Sequence, residues 1–165
     1  MPSSYSFDVV SEFDQQELLN AVDQLRREVD QRYDLKDSKT TIDIKEDELS
    51  IVSLSDMTIE SVKVILLQKA TKRNLSLKIF DFQKIETIGG IMVMQFVKLK
   101  KGLSHEIAKE LSKLVREKMK KVTVSIQGES LRITSKNKDD LQSAINLIKT
   151  QEEELDMALQ FQNYR

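Results

Sequence analysis

Helix-length runs of apolar residues at spacings of three and four, together with pairs of period-two segments, recur in the same order in the two halves of this 165-residue chain. That order limits the possible folds more than any other feature. In the first half, residues 5–11 alternate as a short strand. Asp14 with Glu17 is a capping-box pattern. Leu18, Val22, Leu25 and Val29 then recur at helical spacing towards Tyr33. Strand patterns at 40–45 and 49–55 flank a turn at Asp47-Glu48. A helix over 57–73 carries Ile59, Val62, Leu66 and Ala70 on one face, and a strand is expected over 76–80.

The second half repeats the order after a loop at 83–90 that contains Gly89-Gly90. A strand is predicted over 91–100, and a helix over 103–121 with Ile107, Leu111, Leu114 and Val115 on one face. Strands 122–127 and 131–136 flank Gly128-Glu129, a favourable hairpin turn. Helix 138–150 carries Leu141, Ile145 and Ile148, and a strand over 158–164 follows. Each half reads β-α-β-β-α-β, the ferredoxin-like order. The expected class is therefore α+β, with two tandem ferredoxin-like, RRM-like domains and helices on one face of each antiparallel sheet. Strand 91–100 is apolar on both faces, Ile91, Val93 and Val97 on one and Met92, Met94 and Phe96 on the other, so it should be covered on both.

Composition removes several chemistries. The chain has no Cys, which excludes disulfides, thiolate metal sites and a cysteine nucleophile. A single His105 excludes a multi-histidine metal centre, and neither a metal nor a cofactor is expected. His105 reads as a surface residue with no partner set, and Asp139-Asp140 as carboxylates offsetting a helix dipole. No catalytic constellation is visible, so an enzyme is not expected. Apolar runs such as Val64 to Leu67 fall far short of the roughly 20 residues of a membrane span. Met1-Pro2-Ser3-Ser4-Tyr5-Ser6 lacks a signal-peptide pattern, so a cytoplasmic location and no membrane partner are expected.

Charge is near balance overall, 26 basic against 27 acidic residues, yet residues 98–138 hold 12 basic and 4 acidic. Charge concentrated in this way attracts anions, so a phosphate-bearing partner is expected. Lys109, Lys113, Arg116 and Lys120 form a stripe on helix 103–121, opposite its apolar face. Glu106, Glu110 and Glu117, three residues before Lys109, Lys113 and Lys120, would make local ion pairs and an ordinary solvated face. The open sheet face is richer. Strand alternation turns Thr123, Ser125 and Gln127 outward, with Arg132, Thr134 and Lys136, and with Gln160, Gln162 and Tyr164. Hydroxyls, amides, cations and an aromatic can meet phosphate oxygens and bases, although the same pattern also describes an ordinary solvated face. The aromatic RNP motif of an RRM is absent from 48–55 and 130–136, and no Walker loop or GxGxxG occurs.

At these residues the chain resembles the YajQ family of bacterial nucleotide-binding proteins. The resemblance rests on Ser6-Phe7-Asp8-Val9-Val10-Ser11-Glu12, Asn20-Ala21-Val22-Asp23, Arg27-Glu28-Val29 and Lys98-Leu99-Lys100-Lys101-Gly102. It continues in Ile126-Gln127-Gly128-Glu129, Leu131-Arg132-Ile133-Thr134, Asp139-Asp140-Leu141-Gln142 and Phe161-Gln162-Asn163-Tyr164-Arg165. The resemblance implies two RRM-like domains that exchange their N-terminal strands. One domain would be 12–100, completed by strand 91–100. The other would be 1–11 plus 101–165, completed by strand 5–11, with Ser6 and Asp8 beside the polar face. It also implies binding of RNA, tRNA included, or of a cyclic dinucleotide such as cyclic di-GMP. Two positions depart from the family pattern: Asp37 and Ser135 stand where the family commonly has Gly.

The expected function is a non-enzymatic nucleotide- or RNA-binding protein. Arg132, Lys136 and Lys138 would contact phosphate. Gln127, Thr134, Gln160, Gln162 and Tyr164 would read or stack on the ligand, and Lys98, Lys100 and Lys101 would attract it from a distance. The alternative is a protein-interaction adaptor that docks a protein partner on the acidic first half or on helix 103–121.

Overall fold

The computed structural model describes residues 4–165, so the reading at Met1–Ser3 lies outside the described residues. The chain forms two compact units. One joins the described residues up to Glu12 to Lys101–Arg165, and the other is Phe13–Lys100. Both are mixed α+β with antiparallel sheets.

In the Phe13–Lys100 unit, α1 (Gln15–Gln31) and α2 (Asp56–Lys72) accompany β2 (Thr41–Ile44), β3 (Glu48–Ser53), β4 (Phe80–Phe82), β5 (Glu86–Gly89) and β6 (Met92–Leu99). The sheet runs β2-β3-β6-β4, with β5 beside β6. Leu18, Val22 and Leu25 of α1, Ile59, Val62 and Leu66 of α2, and Leu49 and Ile51 of β3 are all fully buried. The Asp14 carboxylate caps α1 by accepting from the Gln16 and Glu17 amides, but Glu17 does not complete a capping box. Its carboxylate accepts instead from Asn20 and pairs with Arg73. The reciprocal box is on α2, between Ser55 and Thr58.

Two segments differ from the sequence expectation. Residues 77–79 make a 3-10 turn, because the Ser76 side chain accepts from the Lys78 amide, and the strand begins only at Phe80. The loop expected at 83–90 contains β5, which pairs with β6 through an irregularity between Thr87 and Gly89. Asp37 needs no glycine, since the positive φ nearby, 54°, falls at Lys39.

In the other unit, β1 (Tyr5–Val10) lies between β8 (Ser130–Ser135) and β9 (Gln160–Gln162), and β7 (Val122–Gln127) forms the far edge, in the order β7-β8-β1-β9. Helices α3 (His105–Lys118) and α4 (Lys138–Lys149) pack on the sheet face that carries Phe7, Val9, Leu131 and Ile133. A short α5 (Gln151–Leu155) follows α4. α3 stops at Lys118, where Met119 turns to extended backbone, so Lys120 lies beyond the helix that was expected to reach 121. β9 is shorter than the predicted 158–164 and ends before Asn163, whose φ is 56°.

Candidate functional site

Antiparallel register aligns the polar face of the β7-β8-β1-β9 sheet in rows. Thr123, Thr134 and Ser6 make one row, and Ser125, Arg132, Asp8 and Gln162 the next. At the centre, Asp8 is only 6% exposed. It accepts from Arg132 Nε at 2.9 Å, from Arg132 Nη2 at 3.4 Å and from Asn163 Nδ2 at 2.9 Å. The Arg132 hydrogen bond holds the Asp8 carboxyl below its ordinary range against the opposing effect of burial, with help from Asn163 and from the charge of Arg165. Asp8 in turn raises the Arg132 guanidinium. Two of the five N–H donors of Arg132 are therefore committed within the sheet.

Asn163 explains a misplaced residue. Asp8 faces Gln162, and Ser6 exchanges both backbone hydrogen bonds with Arg165, at 3.2 and 3.0 Å. Two residues, Asn163 and Tyr164, thus oppose the single Phe7, which is a β-bulge with its first residue in the left-handed region. The bulge breaks the period-two alternation. Asn163 turns to Asp8 on the polar face, and Tyr164 turns to the helix side, its ring 6.1 Å from that of Phe7. The expectation that Tyr164 belongs to the polar face is corrected by this one backbone angle.

The other predicted residues separate into groups. Gln127 Nε2 donates to Ser125 Oγ at 2.8 Å, and Gln160 Oε1 accepts from the Glu12 amide at 2.8 Å. Gln162 and Lys101 line a small polar cleft of ≈ 240 Å³ with Asp8, Glu12 and Glu129. Lys98 and Lys100 belong to the Phe13–Lys100 unit, where Lys98 faces Glu48 and Asp81 across the sheet.

Two larger clefts flank the start of β1. In one, Lys136 and Thr134 meet Lys121, Thr123 and Ser4 around ≈ 480 Å³. In the other, Lys138 and Tyr164 meet Tyr5, Ser6 and Arg165 over an apolar wall of Leu141 and Ile145, around ≈ 410 Å³. Lys138 Nζ sits 4.9 Å from the Tyr5 ring centroid, which fixes a cation at the mouth of that cleft. Tyr164 is 63% exposed, so most of its ring remains accessible.

The family model described as "Nucleotide-binding protein YajQ-like" matches residues 5–165. The chain belongs to the YajQ-like family. A nucleotide-binding protein of Prochlorococcus marinus (strain NATL1A) is 90% identical to it over 165 residues, the full length of both chains. A nucleotide-binding protein of Synechococcus sp. (strain CC9605) is 67% identical, and one of Nostoc punctiforme (strain ATCC 29133 / PCC 73102) is 53% identical, each again over the full length of both chains.

In this YajQ-like chain the sequence reading missed Asn163, Tyr5, Lys121 and Arg165. Alternation on the strand at 5–11 could have singled out Tyr5, and the basic run Lys118-Met119-Lys120-Lys121 could have singled out Lys121. Asn163 stands in the terminal stretch that carries the resemblance, but no periodicity gives it a role, because that role depends on a positive φ. No group of three or more His, Asp or Glu side chains suited to a metal occurs among the described residues. No helix among them is long and apolar enough to cross a membrane.

Proposed function

We propose that this is a cytoplasmic, non-enzymatic nucleotide-binding protein. Its ligand is RNA or a cyclic dinucleotide such as cyclic di-GMP, bound at the β1 end of the sheet that includes β7 and β8. The observation that carries the reading is the cleft where Tyr164, Lys138 and Arg165 converge over Leu141 and Ile145. An exposed ring gives a base a stacking surface, and the two cations stand within the same cleft for its phosphate. The neighbouring cleft adds Lys121 and Lys136 with the hydroxyls of Thr123 and Thr134, a phosphate-binding chemistry suited to a second nucleotide unit. In this reading Arg132 shapes the face through Asp8, and of the three cations expected to touch phosphate Lys136 and Lys138 do so, joined by Lys121 and Arg165. The names of the relatives support the ligand class.

The same proposal takes the two units as ferredoxin-like copies with exchanged first strands. β1 lies between β8 and β9 in one sheet, and β6 lies between β3 and β4 in the other, the place of a first strand in each order.

Fluorescence anisotropy of labelled cyclic di-GMP, with unlabelled single-stranded RNA as competitor at two salt concentrations, tests the function. Micromolar binding that RNA does not displace identifies a dinucleotide receptor. Displacement by RNA with steep salt dependence identifies an RNA-binding protein. Absence of both kinds of binding overturns the proposal.

A further inference from the structure

On the helix side of this sheet, α3 and the edge strand β7 enclose a groove of ≈ 370 Å³. Ser112 lines it, is 2% exposed, and its buried hydroxyl has no hydrogen-bond partner among the described residues. A helical serine commonly returns its hydroxyl to the carbonyl four residues back. A buried hydroxyl left without a partner is a cost that a ligand atom can relieve.

The rest of the groove is rich in donors and cations. Lys109, Lys113 and Lys120 line it, and none of them has an ion-pair partner among the described residues, so the expected pairing with Glu106, Glu110 and Glu117 is absent. Arg116 Nη2 donates to the Val124 carbonyl at 3.1 Å, which shows that this peptide edge faces away from β8. Backbone groups alternate along an antiparallel strand, so the Ile126 N–H points the same way, beside the groove. Glu117 is the one acidic side chain lining it among the described residues.

We propose that the α3–β7 groove binds the phosphodiester backbone of an RNA strand, with Ser112 donating to a phosphate oxygen and the three lysines supplying charge. The site is separate from the Tyr164 cleft and shares with the proposed function only the class of ligand. A linear polyanion fits better than a point charge. Lys109 and Arg116 are seven residues apart, roughly 10 Å along the helix, and a nucleic-acid strand presents one phosphate per nucleotide along such a length. An anionic membrane presents its charge over a plane, whereas here the cations line a groove.

The test titrates the full chain with labelled oligouridylate over a salt series, using wild type, K109E/K113E and S112A, with labelled AMP as a second ligand. K109E/K113E should bind the oligomer at least about tenfold more weakly and flatten its salt slope by about two. S112A should lose about threefold to tenfold while keeping its circular dichroism and melting curve. AMP binding should be unchanged in both, and it reads the Tyr164 cleft separately, so failure of the cleft and failure of the groove are told apart. Unchanged oligomer affinity in either folded variant overturns the assignment, as does binding to phosphatidylglycerol vesicles without binding to RNA.

Discussion

Asp8 and Arg132 stand 124 residues apart in the chain and are joined at 2.9 Å across neighbouring strands. Asn163 closes the arrangement from the other side of Asp8, at 2.9 Å. Three distant segments of sequence therefore meet at one carboxylate.

That carboxylate makes the unit sensitive to acid. The folded state holds Asp8 below its ordinary value of 3.8, first through Arg132. A depressed carboxyl contributes its full stability above that value and loses it as pH falls through the lower, folded one. Acid unfolding should therefore show a component below pH 3.8 that disappears in D8N. D8N should also be less stable than wild type at pH 7. Urea titrations across the pH range, read by circular dichroism, check both statements. An identical acid limb in D8N would remove Asp8 from the explanation.

The bulge at Asn163 makes a second prediction. Its φ of 56° suits Gly or Asn and strains a residue with a plain Cβ. N163G and N163A both lose the hydrogen bond to Asp8, but N163A should be the less stable of the two by about 1 kcal/mol. Chemical denaturation of the pair measures that difference, and equal midpoints would mean that the backbone angle is not what selects Asn.

Gly102 tests a tight approach. Its φ is +85°, and a Cβ there would lie 2.5 Å from Glu129 Oε2. G102A should be destabilised both by the angle and by the clash. Adding E129A removes the two nearest atoms and should recover most of the part due to the clash, leaving the contact with Cβ at 3.2 Å and the part due to the angle. A double variant no more stable than G102A would show that the side chain yields freely.

Phe7 is fully buried and belongs to a strand with partners on both sides. F7A should cost about 3–5 kcal/mol. The loss should appear in the amide exchange of α3, α4 and β8, while α1 and α2 keep their protection. Uniform loss of protection in both units would mean that they unfold as one.

For the ligand, Y164A should weaken nucleotide binding by about tenfold or more, the usual contribution of one stacked base. Y164F should retain most of the affinity, because the ring is the contact. Isothermal titration of the two variants distinguishes stacking from a hydrogen bond through the phenol.

Much of this architecture is legible in the residues, for definite reasons. Leu18, Val22, Leu25 and Val29 face one way at helical spacing, and all are buried. Ile42 and Ile51 alternate as strand residues and pair with each other. Legibility fails where local backbone geometry overrides periodicity. Ser76 captures the Lys78 amide and delays a strand, and the positive φ of Asn163 sends Tyr164 to the opposite face from the one alternation gives. It fails also for charge. Arg132 looks like a free cation until the fold brings Asp8 beside it, and the glutamates spaced to neutralise Lys109 and Lys113 do not do so. Residue type and spacing state which charges are near in sequence, and the sheet order decides which are near in space.

The position of β1 between β8 and β9 has a consequence for biogenesis. At synthesis rates of about 5–20 residues per second, the Asp8 segment waits roughly 6–25 s before Arg132 is even polymerised. The Phe13–Lys100 unit has all its strands well before then. The first strand made therefore waits without its β8 and β9 partners while residues 13–100 are completed, and Phe7, Val9 and Val10 lack the cover they have in the finished sheet. Ser6, Asp8, Ser11 and Glu12 interrupt and flank those apolar residues, the placement of gatekeepers that oppose strand pairing between chains.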